Sequence, residues 1–581
     1  MSEAVDRTTY HKKMTGNHRP ILLLVFLYIL SCSPFFSGMP VMHDSFKWAA
    51  AARNIALGRG LAMQDAYPLE FAQVPEGAEI GLNQIRQQTT TEWVHPLFVA
   101  AAFKIFGVNE FAFRLTTLIF MILVVLLTYK VANELFGHKP ALLSAAIFAC
   151  SDVAISYGVS GLTEPLLMAL ILMSIWLLLR HKSYWAIAGA ALCIALVPHT
   201  KVIGKYYAAL LLLFGIFSLG KKGVLKSVAL IGIAIILIWV GDFIGSELNP
   251  KMINSQPSVQ TQSKQPPQAS SIMKMTARFL EKIAAPTLML HSPIYPGHSY
   301  PRGLEVIGNQ TFFLAHPRAY LEKVELNAKL TFETLFSTMF NPVVLAFFWV
   351  GLFLLPIDRK IRMVVILTLG FLTIQTAVGL LLFRMDRYFH PFSPLIAVFA
   401  GATLWSLTLK DSGSTHIRRW TLQIMGLIAI LACLFPFSFF AGYLNPSYLK
   451  TPLMDGLVSD FDKDWKAAGR FISGKIGSSE VVVTNEPSTV AWYSDRFCIW
   501  IPNDIETLTA LSKKVKIGAV VFVAGPGLLE DQWRNWLMSF AKSPTNNGWS
   551  LSPRDVMVGR PDGLSVYVFR KTLNQSEPFS L

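Results

Sequence analysis

The sequence predicts a polytopic α-helical membrane protein of about eleven transmembrane helices, with an extracytoplasmic α/β domain at the C-terminal end. Three observations carry this. Of 581 residues, 53% are hydrophobic and only 15% charged, whereas a soluble domain carries about 25% charged residues; mean hydropathy is +0.45. Apolar stretches able to cross a hydrocarbon core of about 30 Å recur from Ile21 to Tyr443. The segment after Leu444 has none.

Residues 1–19 are read as the cytoplasmic N-terminus. The first apolar run follows Lys12, Lys13 and Arg19 and lacks a small-x-small cleavage site after Leu30, so it is read as a retained anchor. Spans are placed near 20–40, 112–132, 140–157, 163–180, 184–198, 206–219, 227–245, 339–356, 362–383, 391–409 and 420–443, within a transmembrane domain over 20–444. The inside loops then hold Lys130 and Lys139; Arg180 and Lys182; Lys221, Lys222 and Lys226; Arg359, Lys360 and Arg362; and Lys410, Arg418 and Arg419. Every one is basic, as the positive-inside rule requires. The net charge of +15 is thus spread as topology and not gathered for nucleic acid. Four of the five cysteines lie in apolar runs, which leaves Cys498 alone and implies no disulfide framework.

Three regions fall outside: a loop over 41–111, a loop over 246–337, and the segment 445–581. In the first, Phe46, Ala49, Ala50, Arg53, Asn54 and Leu57 repeat at helical spacing up to a Gly58–Gly60 stop, and Pro96 to Phe106 forms a second amphipathic stretch ending at Gly107. Both are expected along the membrane surface with their apolar faces among the headgroups. Residues 249–271, rich in Gln, Ser and Pro, read as a mobile segment. The tail reads as a small α/β domain. Its helices fall at Trp465–Ile472, Thr507–Lys514 and Leu529–Phe540, and its strands at Val481–Thr484, Phe497–Ile501, Val520–Ala524 and Val566–Phe569. It has neither GxGxxG nor GxxxxGK[ST], so a structural or acceptor-docking role suits it better than nucleotide binding.

Chemistry is sought at the outer ends of the spans. Asp44 is the first acid after span one, and Glu164 opens the span beginning TEPLLM. For each acid the bland alternative is a helix cap, but two carboxylates on one face favour a functional pair. His43, Glu92 and His95 lie at the same level; a lone His there is more often a hydrogen-bonded structural group. Lys201, Lys205, Arg384 and Arg387 run against the positive-inside bias, and fixed cations of this kind suit a phosphate at headgroup depth. Snorkelling to the interface explains each of them singly.

In this order the residues resemble the GT-C membrane glycosyltransferases of the protein O-mannosyltransferase and lipid A aminoarabinose transferase type. The pattern is carried by Asp44, Ala52, Asn54, Gly58 and Gly60, then His95, Pro96, Gly107 and Arg114. It continues through Glu164 and Pro165, Lys201 and Tyr206, and finally Arg387, Tyr388, Pro391 and Pro394. The resemblance implies transfer of a sugar from a polyprenyl-phosphate donor to a hydroxyl acceptor on a protein, lipid or cell-wall glycan at the outer face. Asp44 would be general base and Glu164 would orient the acceptor or sugar. Lys201, Lys205, Arg384, Arg387 and Tyr388 would hold the donor phosphate, with His95, Glu92, His43 and Tyr206 in support. Ser45 stands where many relatives carry a second acid, so the metal-independent members are the closer likeness; no cofactor is certain, and a divalent metal stays open but is not indicated. Compact loops and the absence of an endoplasmic-reticulum retention signal point to a bacterial inner membrane. An inactive relative of these enzymes, and a lipid-linked-sugar flippase, rank behind the transferase.

Overall fold

A computed structural model describes residues 19–33, 36, 43–66, 68–71, 92–180, 183–220, 223–248, 317–338, 340–355, 358–381, 386–408, 416–434, 460–502, 504–524, 531–540, 545–546, 549–558 and 564–571. Arg384, the segment 249–271 and most of the loop over 246–337 lie outside them. In hydrocarbon a backbone has to satisfy its own polar groups, and the apolar runs accordingly become helices. These are α1 (Arg19–Cys32), α2 (His43–Ala56), α3 (Val94–Phe106), α4 (Glu110–Phe136), α5 (His138–Ala149), α6 (Asp152–Ser160), α7 (Glu164–Arg180), α8 (Tyr184–Thr200), α9 (Gly204–Leu219), α10 (Val224–Leu248), α11 (Pro317–Glu333), α12 (Pro342–Leu354), α13 (Arg359–Leu381), α14 (Ser393–Thr408) and α15 (His416–Leu434).

By length and composition, Glu110–Phe136, Val224–Gly245 and Arg359–Leu380 are each able to cross a membrane alone. A fourth span is available if the bent pair α5–α6 counts as one. The bend corrects the expected continuous helix at 140–157: α5 and α6 meet at 60°. The cause is local, since Ser151 leaves the helical region and its side chain caps α6 by accepting from Ala154 N at 3.1 Å. α4 lies at the middle of the bundle, packed on α5, α6, α7 and α14, while α8 packs on α7 and α10. Its Thr116 and Thr128 hydroxyls donate to the backbone carbonyls of Ala112 and Val124, which removes the cost of burying them. α1 is tied in by Tyr28 Oη donating to Ala154 O at 2.7 Å. α11 was not expected from the sequence; it packs on α13.

The C-terminal segment forms α16 (Asp460–Lys475), α17 (Pro487–Ser494), α18 (Ile505–Ser512) and α19 (Asp531–Ser539) around a sheet. Its strands are β1 (Asp65–Ala66), β2 (Val481–Thr484), β3 (Phe497–Trp500), β4 (Ile517–Ala524), β5 (Thr545–Asn546), β6 (Trp549–Met557) and β7 (Ser565–Lys571), in the order β1-β3-β2-β4-β7-β6-β5. The β1, β3, β2 and β4 neighbours are parallel, and β7, β6 and β5 complete the sheet antiparallel. Val481 and Val483 face α18 and α19, whereas Val482 faces Trp465 and Ile472 of α16. Both faces are covered, which is why β2 reads as an unbroken apolar run.

One strand comes from far away in the chain. β1 belongs to the first outer loop and adds a parallel edge to β3, with Asp65 opposite Cys498. The apolar face of α2 is likewise enclosed by protein and not by headgroups, a correction to the expected surface helix. Phe46, Ala49, Ala52 and Ala56 bury against α3 and Trp492 of α17. α3 keeps an open apolar side, with Ile105 75% exposed.

Candidate active site

Asp44, in the first turn of α2, pairs with the Arg387 guanidinium, and Glu164, the first residue of α7, pairs with Lys201. Lys201 Nζ stands 4.6 Å from the centre of the Tyr388 ring and Arg387 Cζ stands 5.4 Å from it. Two acids, two cations and one aromatic ring therefore gather from four separate stretches of chain. Glu164 is 1% exposed and Lys201 14%, while Asp44 and Arg387 keep 34% and 22%. The Glu164 pair forms the floor of the cluster and the Asp44 pair its open side.

Each member is aimed by its local fold. Gly161 has φ +76°, and a Cβ there would overlap the Phe113 ring; only glycine makes this left-handed turn, and the turn starts α7 with Glu164 facing inward. Lys201 ends α8 in extended backbone at φ −154°. The following turn is held by Glu92, whose Oε1 accepts from Val202 N at 2.7 Å. Burial raises the Glu92 carboxyl above its usual range, against the lowering effect of that N–H and of Lys201 and Lys47. Arg387 and Tyr388 sit in a short 3-10 turn, Asp386–Tyr388. Phe389 and Phe392 beside them are fully buried, Phe392 stacked on Phe371 at 4.9 Å.

The remaining candidates separate. His95 is fully buried and its Nε2–H donates to Gly161 O at 3.2 Å; burial pushes it down to about 4, so it is neutral and fixes α3 to the α6–α7 turn. Lys205 is exposed, with its Nζ 5.5 Å from the ring of its neighbour Tyr206. It is Tyr207 that turns inward, donating to Gln375 Oε1 at 2.6 Å within electrostatic reach of Tyr388 and Glu164. Sequence reasoning missed Tyr207 and Lys47. The second had a signal, since Lys47 lies one helical turn from Asp44. His390 is bonded through Nδ1 to Tyr157 Oη at 2.9 Å. His43 opens α2. The Ala52–Asn54 and Gly58–Gly60 motif closes a turn: Asn54 Nδ2 donates to Ala62 O at 2.7 Å, and Gly58 and Gly60 have φ +74° and +81°. Among the described residues no three His, Cys, Asp or Glu side chains converge as a metal ion would require.

Over most of its length the chain superposes on solved structures. ArnT from Cupriavidus metallidurans bound to undecaprenyl phosphate superposes with a TM-score of 0.52 at 11% identity, over 95% of this chain and 98% of that one. Its apo state gives 0.52 at 10%, over 94% and 97%. An oligosaccharyltransferase from Archaeoglobus fulgidus gives 0.49 at 12%, over 87% and 67%. The chain has the GT-C fold of membrane glycosyltransferases, as the sequence resemblance implied. The family model for dolichyl-phosphate-mannose-protein mannosyltransferase matches residues 93–242, the stretch that carries His95, Glu164 and Lys201. No curated protein matches by sequence.

Proposed function

We propose that the protein is a membrane glycosyltransferase that moves a sugar from a polyprenyl-phosphate donor to a hydroxyl acceptor at the outer face of the inner membrane. The observation that carries this reading is the gathering of Asp44, Arg387, Tyr388, Lys201 and Glu164 around one point. In this reading the chain crosses the bilayer about eleven times with its N-terminus cytoplasmic, and the sheet domain stands outside. The acceptor oxygen attacks the anomeric carbon, the bond from that carbon to phosphate oxygen breaks, and the electron pair leaves on the lipid phosphate. Asp44 takes the hydroxyl proton. Arg387 and Lys201 hold the charge that develops on the phosphate, a role fixed cations fill without reorganising. Glu164 keeps Lys201 pointed at the site and orients the sugar. Lys205 and Arg384 are assigned to the donor phosphate on sequence grounds alone.

The Asp44–Arg387 pair gives this mechanism an order. A carboxylate turned onto a guanidinium is a poor base, and phosphate competes for the same donors. Donor binding draws Arg387 away and leaves Asp44 to the acceptor. The test is reconstitution in liposomes with radiolabelled polyprenyl-phosphate sugars and membrane extract, alongside binding of the lipid phosphate alone. Asp44→Asn is expected to lose transfer by on the order of 10²–10⁴-fold while binding lipid phosphate at least as tightly as the native chain. Arg387→Gln is expected to weaken that binding about 10- to 100-fold. Full transfer by Asp44→Asn removes it as the base. No transfer with any donor, together with movement of labelled lipid across the bilayer, replaces the transferase by a flippase.

A further inference from the structure

We infer that the C-terminal domain is a clamp on α2, and that Arg53 and Asp495 are positioning residues which, through that helix, set Asp44 in place. The inference rests on the role of Asp44 proposed above.

Asp44 and Arg53 share one helix, nine residues apart. At 100° per residue they point to opposite sides, about 13 Å apart along the axis. Asp44 reaches Arg387 on one side; Arg53 reaches the sheet domain on the other. The guanidinium of Arg53, a residue 7% exposed, donates to Trp492 O at 2.7 Å and Ala491 O at 3.0 Å, carbonyls of the last turn of α17. It also donates to the Gln64 amide oxygen and pairs with Asp495 at 3.0 Å. A cation at a helix C-terminus is favourably placed, and a fork with several fixed acceptors admits one orientation. Its Cζ lies 5.1 Å from the centre of the Trp492 ring, and that ring stacks on Phe46 near the Asp44 end of the helix.

Asp495 collects donors from the same outer segment: Gln64 Nε2 at 2.9 Å and Arg59 Nη1 at 3.3 Å, besides Arg53. Burial works to raise its carboxyl, but Arg53, Gln64 and Arg59 outweigh that and hold it below the usual range. Among the described residues it alone, apart from glycines, has positive φ, at 54°. Beyond it Gln64 O accepts from Cys498 N at 2.8 Å, and Ser488 Oγ donates to Asp65 at 2.6 Å.

Between Phe46 and Asn54, α2 specifies little of its own rotation. Ala49 to Ala52 present methyl groups only, a smooth surface that leaves the rotation of the helix loosely specified. A carboxylate that takes a proton in the transition state has to be held within about 10–20°, and about 1 Å of displacement costs on the order of 10²-fold in rate. The Arg53–Asp495 anchor supplies the constraint that the alanines lack.

Asp495→Asn tests this without breaking the backbone, because asparagine accepts a left-handed φ at least as well as aspartate and keeps an acceptor oxygen. In the full-length protein, Asp495→Asn and Arg53→Lys are each expected to lower kcat by about tenfold or more, with donor KM and lipid-phosphate binding within about twofold. The double substitution is expected to lose no more than the worse single one, since both act on one contact. Unchanged kcat in Asp495→Asn, alongside the loss in Asp44→Asn, overturns the clamp and leaves the reading of Asp44 standing. A loss confined to donor KM or lipid binding overturns it too, since the domain would then shape the donor site. Full transfer by Asp44→Asn removes the reading on which the clamp rests, a result distinct from either.

Discussion

At His95 one ring nitrogen donates to Gly161 O, and the other, Nδ1, has no partner among the described residues. A protonated ring there would place an unpaired cation in a dry interior, so the folded protein keeps it neutral down to about pH 4, against 6.5 when unfolded. Between these values the unfolded chain binds the extra proton, so stability rises with pH across the window and is lost as pH falls. The slope is about 1.4 kcal/mol per pH unit, about 3 kcal/mol over the window. Glu92 has the opposite sign: its raised carboxyl adds stability below its ordinary value, lost as pH rises through the folded one. His95→Gln keeps an N–H for Gly161 and does not titrate. The apparent Tm of the native protein is therefore expected to fall more steeply than that of His95→Gln from pH 6.5 to 4.5; parallel curves would mean that His95 is protonated in the fold. At this scale the sequence singled out Asp44, Glu164, Lys201 and Arg387, which the structure brings together. It did not show that they pair in this way, or that Tyr207 and not Tyr206 faces inward. Adjacent positions at a helix start point about 100° apart, and only packing decides which one enters.

Among the elements, the α6–α7 turn has the tightest constraint near the site. Gly161 combines a left-handed φ with a would-be Cβ inside the Phe113 ring, its N–H donates to Thr117 Oγ1 at 3.3 Å, and its carbonyl accepts from His95. Gly161→Ala is expected to cost about 3 kcal/mol or more, from strain together with overpacking, seen as a lower apparent Tm; an unchanged Tm would place the turn elsewhere. The strongly patterned elements were legible. The strand expected at Val481–Thr484 spans those residues, and the helix expected at 184–198 runs over Tyr184–Thr200. β6 was not legible, because Pro553 and Arg554 interrupt its apolar pattern, and the register shifts between Leu551 and Val556 to accommodate them. β1 was not legible either: two residues carry no period, and the partner strand lies more than four hundred positions away.

For the whole molecule, the proposed topology has a direct test. In a background with the native cysteines replaced, Val558→Cys, at a residue 76% exposed in the sheet domain, is expected to react with a membrane-impermeant maleimide added to intact spheroplasts. Lys139→Cys, exposed at the start of α5, is expected to react only after permeabilisation. The reverse pattern would turn the protein over and move the Asp44 cluster to the cytoplasmic side. The docking of the sheet domain adds a contact at the start of α4, where Glu110 accepts from Tyr493 Oη at 2.8 Å and pairs with Lys466 at 3.6 Å. Helix bundle and domain thus meet through the outer loop, through α2 and through α4.

What the sequence determined by itself was whatever depends on local composition: the apolar runs, the basic segments between them, and the family likeness carried by the order of the charged residues. These are properties of a residue and its near neighbours, and hydrophobic length and charge bias are read one segment at a time. Tertiary structure alone decided the pairing of Asp44 with Arg387 and of Glu164 with Lys201, the inward turn of Tyr207, and the grip of Arg53 and Asp495 on the helix that carries Asp44. Each joins parts of the chain far apart in sequence. Such pairings depend on how helices rotate against one another, and rotation follows from the packing of every neighbour at once.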